Sequence, residues 1–180
     1  MHGCSINEKV MAICFDMQIS FLDETINVHE FSSLLDEKVT PYKNIHFHPL
    51  DNAFHGIDGV CEDQLNIIPK NVGLAVPFDD GDFMHKVDDK ECFNLSLHMY
   101  EFIKDLPKYQ IALVGWEIGK LYDFLIYNEQ GKIVDIEPTE GLVISNELFS
   151  LIKDKEDWVV FDSNHMWIPC ESALGNLFTN

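Results

Sequence analysis

Apolar and polar residues alternate most regularly near the N-terminus, over residues 11–21. Every second residue from Met11 to Phe21 is apolar, whereas the positions between them include Asp16, Gln18 and Ser20. Successive side chains of a β-strand point to opposite faces of the sheet, so an apolar period of two is typical of a strand. The pattern predicts a strand with one buried face and one more polar face.

Sheet-forming runs also dominate the C-terminal half. The segments 111–118 and 121–127 are predicted to be strands, and 132–136 is predicted to pair with the second of them. The residues 128–131 between those partners form a predicted turn, in which Gly131 can adopt a positive φ at little cost. Further along, 158–161 and 165–168 are predicted to form another hairpin.

Helical spacing of apolar residues appears between these strands. The pattern predicts helices at about 30–37 and 93–106, with Pro107 ending the second. A third helix is expected after Ser145, because serine is a favourable N-cap residue. Strands interspersed with helices predict a single α+β domain over residues 1–180. We expect a mostly antiparallel sheet with two or three packed helices.

Residues 45–91 show the least regular pattern. Prolines and glycines recur there, and only 72–76 has the character of a strand. A stretch of this length contains small elements or forms a functional excursion. The densest group of acidic residues lies in its last part: Asp79, Asp80, Asp82, Asp88, Asp89 and Glu91. We therefore predict an irregular acidic segment at about 45–91.

The overall charge favours some classes of binding partner and disfavours others. The chain has 31 acidic residues and 12 basic ones, all lysine, which gives a net charge of −19. Phosphate backbones and anionic membrane surfaces repel such a protein, so nucleic-acid and membrane binding are disfavoured. A basic protein partner is favoured, because the electric field would accelerate its approach. The alternative explanation is that the acidic residues serve solubility or reflect the composition of the host's proteins.

Cysteine usage and hydropathy bear on the compartment. The five cysteines are odd in number, widely spaced and form no Cys-x-x-Cys pair, which fits reduced thiols better than a disulfide framework. The N-terminal residues lack the pattern of a signal peptide. No run approaches the roughly 20 apolar residues of a membrane span. These features predict a soluble, cytoplasmic protein.

A histidine cluster is the first candidate for chemistry. His46, His48 and His55, with Asp51 and Asp58, supply the ligand types that zinc or a non-haem metal prefers. They define one alternative function, a metal-dependent hydrolase. The spacing matches no compact metallohydrolase motif, and the other interpretation is a polar loop.

Calcium binding through the acidic segment is less well supported. The sixth position counted from Asp80 is His85, where a calcium-binding EF-hand loop requires glycine. A solvated acidic loop is the commonest explanation of such a run. A docking patch for a basic partner is the next.

Nucleophilic catalysis has little support. Cys14 lies on the more polar side of the first predicted strand, and His98 or His165 could serve it as a base. However, a free cysteine usually behaves as a small buried apolar residue. The chain contains no Gly-x-Ser-x-Gly or Ser-x-x-Lys motif and no phosphate-binding glycine loop. We therefore predict no catalytic residue and no cofactor.

Three tryptophans, Trp116, Trp158 and Trp167, fall in the sheet-rich half. Most such residues belong to the core. An exposed tryptophan beside carboxylates would instead suit the centre of a protein–protein interface, where aromatic side chains contribute much of the binding energy.

Two segments, 121–136 and 157–169, resemble those of bacterial immunity proteins, the small cytoplasmic inhibitors made beside a secreted or contact-delivered toxin. The single acidic α+β domain adds to this resemblance. The resemblance implies an inhibitor without catalysis. Many of the toxins are nucleases, whose basic active sites an acidic inhibitor would occupy.

The leading hypothesis from the sequence is therefore a cytoplasmic binding protein that blocks the active site of a basic toxin. The predicted partner-binding residues are Asp79, Asp80, Asp82, Asp88, Asp89 and Glu91. An adaptor domain that pairs through an exposed sheet edge is a further alternative to the hydrolase.

Overall fold

The computed structural model describes residues 13–22, 27–51, 64–74, 85–104, 106, 108–116, 118 and 121–169. Its ten strands are β1 (Ile13–Ser20), β2 (Phe47–Asp51), β3 (Gln64–Pro69), β4 (Gly73–Leu74), β5 (Ile111–Trp116), β6 (Leu125–Tyr127), β7 (Ile133–Ile136), β8 (Val143–Ser145), β9 (Val159–Val160) and β10 (His165–Trp167). Its helices are α1 (Val28–Lys38), α2 (Asp89–Ile103), the single turn α3 (Asn146–Phe149) and a 3₁₀ helix (Leu121–Phe124).

Eight of these strands form one antiparallel sheet. The order across it is β2-β3-β1-β5-β8-β10-β9, and β4 pairs with the start of β1. Strands β6 and β7 form a separate two-stranded hairpin. The α+β prediction, with a mostly antiparallel sheet and two or three helices, is confirmed.

Strand β1 is central because it pairs on both sides. Met17 lies opposite Ile67 of β3 and opposite Val114 of β5. Every described side chain of β1 is buried, the polar ones included. The predicted strand at 11–21 is therefore confirmed over Ile13–Ser20, where the described side chains of both faces are buried, and residues 11 and 12 lie outside the described residues.

The face of the sheet that contacts α1 and α2 is called here the helix-side face. It carries Phe15, Met17 and Ile19 of β1, which share one apolar cluster with residues of both helices. The helical members of this cluster include Val28 and Leu35 of α1, and Leu95, Met99 and Ile103 of α2. Burial of these side chains is the main source of stabilisation for both helices.

The opposite, hairpin-side face is covered differently. A second apolar cluster joins Ile111 and Leu113 of β5 and Ile144 of β8 to the elements above them. Those elements are the 3₁₀ helix, the β6–β7 hairpin and α3 with the segment after it, which contribute Leu121, Leu125, Ile136, Leu148, Ile152 and Trp158. The sheet thus lies between two layers.

One buried tyrosine ties α2 to the sheet. The hydroxyl of Tyr100 donates to the carbonyl oxygen of Gly141 and accepts from the backbone N–H of Val114, at 3.2 Å. Gly141 has φ of +86°, and a Cβ there would lie 3.0 Å from the Tyr100 hydroxyl oxygen. Glycine is required at this position by both the backbone conformation and the close approach.

Several local predictions are confirmed with altered boundaries. Ser145 caps α3, its hydroxyl accepting from the N–H of Leu148 at 3.2 Å, but the helix is only one turn long. The predicted strand at 121–127 begins as a 3₁₀ helix and becomes a strand only at Leu125. The hairpin predicted for 158–161 and 165–168 is present as β9 and β10.

The stretch 45–91 contains β2, β3 and β4, of which the sequence pattern indicated only the last. Residues such as Leu65, Ile67 and Ile68 are buried in β3 because β1 and β2 pair with it on either side. Such non-local pairing leaves little signal in a local window. Among the described residues, no helix has both the length and the apolar character needed to cross a bilayer.

Candidate interaction surface

The start of α2 gathers three of the predicted partner-binding residues. Asp88 is the N-cap, and its carboxylate accepts from the N–H of Glu91 at 2.8 Å. Asp89 and Glu91 lie in the first turn, where negative charge interacts favourably with the unpaired N–H groups of the helix. The acidic residues at this end of the predicted segment therefore also stabilise the helix.

Trp116 is the most exposed of the three tryptophans. It ends β5 and is 45% exposed, whereas Trp158 and Trp167 are buried. Its ring contacts Phe15 edge-on, with ring centroids 5.1 Å apart. Because Phe15 is buried and lies opposite Trp116 in the sheet, one side of the indole is held in place. An aromatic side chain fixed in this way loses little conformational entropy on binding.

Cys92 connects the tryptophan to the acidic turn. A side-chain hydrogen bond links it to Trp116, and the carboxylates of Asp88, Asp89 and Glu91 act on the same thiol. Burial, followed by those negative charges, raises the pKa of Cys92, and the hydrogen bond with Trp116 partly opposes the rise. The thiol therefore stays protonated at neutral pH, which does not suit a nucleophile.

We call Asp88, Asp89, Glu91 and Trp116 the acidic aromatic surface. Asp88 and Asp89 are exposed, but Glu91 is partly engaged, since its carboxylate forms an ion pair with Lys43. Asp88 and Asp89 thus offer the more accessible charges. Asp79, Asp80 and Asp82, the other predicted partner-binding residues, lie outside the described residues.

The metal-site alternative receives no support from the described part of the chain. His46 is exposed and immediately precedes β2, and His48 is half-buried within that strand. Among the described residues, no group of three or more histidine, cysteine, aspartate or glutamate side chains could hold a metal ion. His55, the third proposed ligand, lies outside the described residues, so the cluster of three stays a prediction.

The two histidines proposed to assist a nucleophile have structural roles. His98 Nε2 lies 2.9 Å from the carbonyl oxygen of Thr40, and its ring contacts Phe47 and Phe102. The side chain of Cys14, the proposed nucleophile, lies outside the described part of the structure. The sequence alone could not distinguish a packed histidine from a catalytic one.

His165 is almost completely buried. Its Nδ1 lies 2.9 Å from a carboxylate oxygen of Asp162, and its Nε2 lies 3.1 Å from the carbonyl oxygen of Tyr109. The rings of His165 and Tyr109 stack with centroids 3.8 Å apart. Both nitrogens are occupied, so this histidine joins β10 to the segment before β5.

A buried carboxylate lies on the hairpin-side face of β1. Asp16 is 4% exposed, and burial raises its pKa to about 7, although a hydrogen bond from Gln18 opposes the rise. The Gln18 amide also donates to the carbonyl oxygen of Ile118 at 2.9 Å and accepts from Gln64 at 2.6 Å. This polar cluster is built into the sheet and is covered, so it does not face a partner.

Other exposed apolar side chains lie elsewhere on the surface. Val160, on the last strand in the described sheet order, is 73% exposed, and Ile126 and Tyr127 of the hairpin are each 47% exposed. Strand β9 has only two residues, which offers a short edge for pairing with another strand. The adaptor alternative would use this short edge.

No family model, curated protein or solved structure matches this chain.

Proposed function

We propose that this protein is an acidic binding protein that neutralises a basic toxin by covering its active site, with a nuclease as the expected toxin. The observation that carries the proposal is the half-exposed ring of Trp116 beside the acidic first turn of α2. An aromatic anchor framed by charged residues has the composition of a protein–protein hot spot.

The charge balance supports a basic partner. Even if every lysine paired with one acidic residue, 19 negative charges would remain. Such a field accelerates the approach of a positively charged protein, and added salt screens it. An active site that binds nucleic acid is rich in positive charge, so an acidic inhibitor competes for the same cleft.

The acidic aromatic surface divides this task between two kinds of contact. Asp88 and Asp89 attract and orient the partner, which mainly affects the association rate. Trp116 supplies desolvated contact area, which mainly affects the dissociation rate. The two contributions can therefore be separated kinetically.

The first experiment is a pull-down with the purified protein from the native host's lysate, and against the product of the adjacent gene, at low and high salt. We expect one basic partner at a one-to-one ratio, retained less well at high salt. Activity of that partner on nucleic acid, and its loss when the complex forms, would test the inhibitory role.

Two variants then test the surface. Trp116→Ala should weaken binding by about 30-fold or more, mainly through faster dissociation, as expected for a hot-spot residue worth about 2 kcal/mol. The triple variant Asp88→Asn, Asp89→Asn, Glu91→Gln should slow association by about tenfold at low salt and much less at high salt. Asparagine at position 88 keeps an oxygen that can cap α2.

The matched control is Glu129→Gln, Glu137→Gln, Glu140→Gln, which removes the same charge from exposed positions around and after the β6–β7 hairpin. If this control slows association as much as the first triple variant, net charge alone acts and the acidic aromatic surface is not the docking site. The proposal is contradicted if binding does not change with ionic strength and the Trp116→Ala variant binds as tightly as the unmodified protein.

The hydrolase alternative has its own test. Stoichiometric zinc, manganese or iron in protein purified without a nickel column, together with no retained partner, would favour it. Replacement of His46 and His48 by alanine should then release the metal.

A further inference from the structure

A cleft of about 560 Å³ opens at one end of the central strands. It lies where β1 ends and β5 begins, beside α3 and β7. Its apolar wall is formed by Phe21, Leu22, Ile133 and Leu148, and its polar groups come from Lys108, Gln110 and Glu147. Small-molecule sites typically have volumes of about 300–1,000 Å³ and combine an apolar wall with a few polar groups. The cleft shares no residue with the acidic aromatic surface.

Two lining residues have an unusual backbone conformation. Leu22 has φ of +49° and Lys108 has φ of +74°, in the left-handed region that side chains other than glycine rarely adopt. Such a conformation is strained for a residue with a side chain, and strained residues of this kind cluster at functional sites and ligand clamps. Leu22 and Lys108 both line this cleft, and each sets the direction of the chain at its edge.

Gln110 is held rigidly in this cleft. Its backbone N–H donates to the carbonyl oxygen of Ser20 at 2.9 Å, and its own carbonyl oxygen accepts from the N–H of Ser145 at 2.8 Å. Its side-chain Oε1 accepts from the hydroxyl of Ser145. The amide nitrogen is thus the part of the side chain that can still donate to a ligand.

Lys108 and Glu147 bring opposite charges to the same cleft. Both are exposed, and within the described residues no ion pair joins them to each other. A ligand with a carboxylate and an ammonium group would satisfy both charges while its apolar part contacts the wall. Lys108 and Gln110 supply donors for the carboxylate, and Glu147 supplies an acceptor for the ammonium group.

From this arrangement we infer a binding site for a zwitterionic short peptide with apolar side chains, of about dipeptide size. The positive ligand end contacts Glu147, the negative end contacts Lys108 and Gln110, and the side chains lie against the half-buried Leu22 and Ile133. The inference does not depend on the proposed inhibitory role, since the site is separate.

Isothermal titration calorimetry with the dipeptide Leu-Phe tests the site. Four forms are compared: the free dipeptide, its N-acetyl form, its C-terminal amide and the form with both ends blocked. The free dipeptide should bind best, and each single block should weaken binding by about threefold or more, the size expected for an accessible ion pair.

Two variants test which residue recognises each charged end of the dipeptide. Lys108→Met should abolish the preference for the free carboxylate over the amide while the preference for the free amine persists. Glu147→Gln should do the reverse. The controls Lys38→Met and Glu137→Gln, exposed residues outside the cleft, should leave all four affinities unchanged.

Three results would each overturn a different part of the inference. No heat of binding from any form at millimolar concentration overturns the site, and equal affinity for all four forms overturns its charge recognition. Variants that weaken all forms equally, or controls that match them, overturn the residue assignment. Circular dichroism of each variant verifies that the fold is intact.

Discussion

Strand β1 has two faces that are equally buried and chemically opposite. On the helix-side face, Phe15, Met17 and Ile19 pack against α1 and α2 within one apolar cluster. On the hairpin-side face, Asp16 and Gln18 are also buried, but they are held by hydrogen bonds. The neighbouring strand β5 does not share this difference, since Leu113 beside Gln18 belongs to the second apolar cluster.

The two faces of β1 are ordered by different interactions. Burial of the apolar face is favourable in itself and tolerates imperfect geometry. Burial of the polar face costs free energy unless each donor and acceptor is paired, so it contributes specificity more than stability. The register of β1 with β3 is thereby reinforced, because Gln18 lies opposite Asn66 and near Gln64.

The largest expected effect comes from the helix-side face. Met17 is completely buried, so Met17→Ala should lower the free energy of unfolding by about 2–5 kcal/mol through lost apolar contact and the cavity left behind. Urea unfolding followed by tryptophan fluorescence measures this. Leu34→Ala, on the exposed side of α1, is the control and should change stability by about 0.5 kcal/mol or less. Similar losses for both variants would contradict the assigned core.

The next effect comes from Asp16 and depends on pH. Its pKa rises from 3.8 to about 7 on folding, so the folded state binds the proton more tightly. The stabilisation is fully present below pH 3.8 and is lost as pH rises through about 7. Asp16→Asn removes this dependence and should therefore stabilise the protein above pH 7, by at most about 4 kcal/mol, and have little effect near pH 3.

Urea unfolding of the Asp16→Asn variant and the unmodified protein at a series of pH values measures this difference. The comparison cancels contributions from other carboxyl groups, such as Asp135, whose pKa is lowered by a hydrogen bond from Lys153. The prediction is contradicted if the stability difference between the two proteins stays constant between pH 3 and 8. Folding would then not raise the pKa of Asp16.

The smallest of these effects tests the polar network. Gln18→Leu keeps the side chain's approximate volume but leaves the carbonyl oxygen of Ile118 and the Gln64 amide without this partner. We expect a loss of about 1–3 kcal/mol, the usual cost of leaving buried polar groups unpaired. A stability gain, measured in the same way, would show that the hairpin-side face of β1 accepts an apolar residue and that the network is dispensable.

Local patterns predicted some elements well. The alternation around Phe15 located β1, helical spacing located α2, and the capping preference of Ser145 marked the start of α3. Such signals arise from neighbours in sequence, which a window of ten residues contains. Strands β2, β3 and β8 were missed because their strand character comes from pairing with distant partners.

The candidate surface shows the same limit. The sequence identified Asp88, Asp89 and Glu91 as part of an acidic run and Trp116 as one of three tryptophans. It did not indicate that the acidic residues and the tryptophan lie close together. They meet because Cys92 of α2 packs beside the end of β5. The cleft of Lys108 and Glu147 had no sequence signal, since its walls come from segments more than 100 residues apart.

The sequence by itself determined the α+β class and the strong negative charge, because these depend on local periodicity and composition. Only the tertiary structure decided which tryptophan is exposed, which carboxyl group is buried and which charges share a cleft. Exposure, burial and proximity are properties of side chains brought together from distant positions. In this fold that contact is set by the order in which antiparallel strands surround β1.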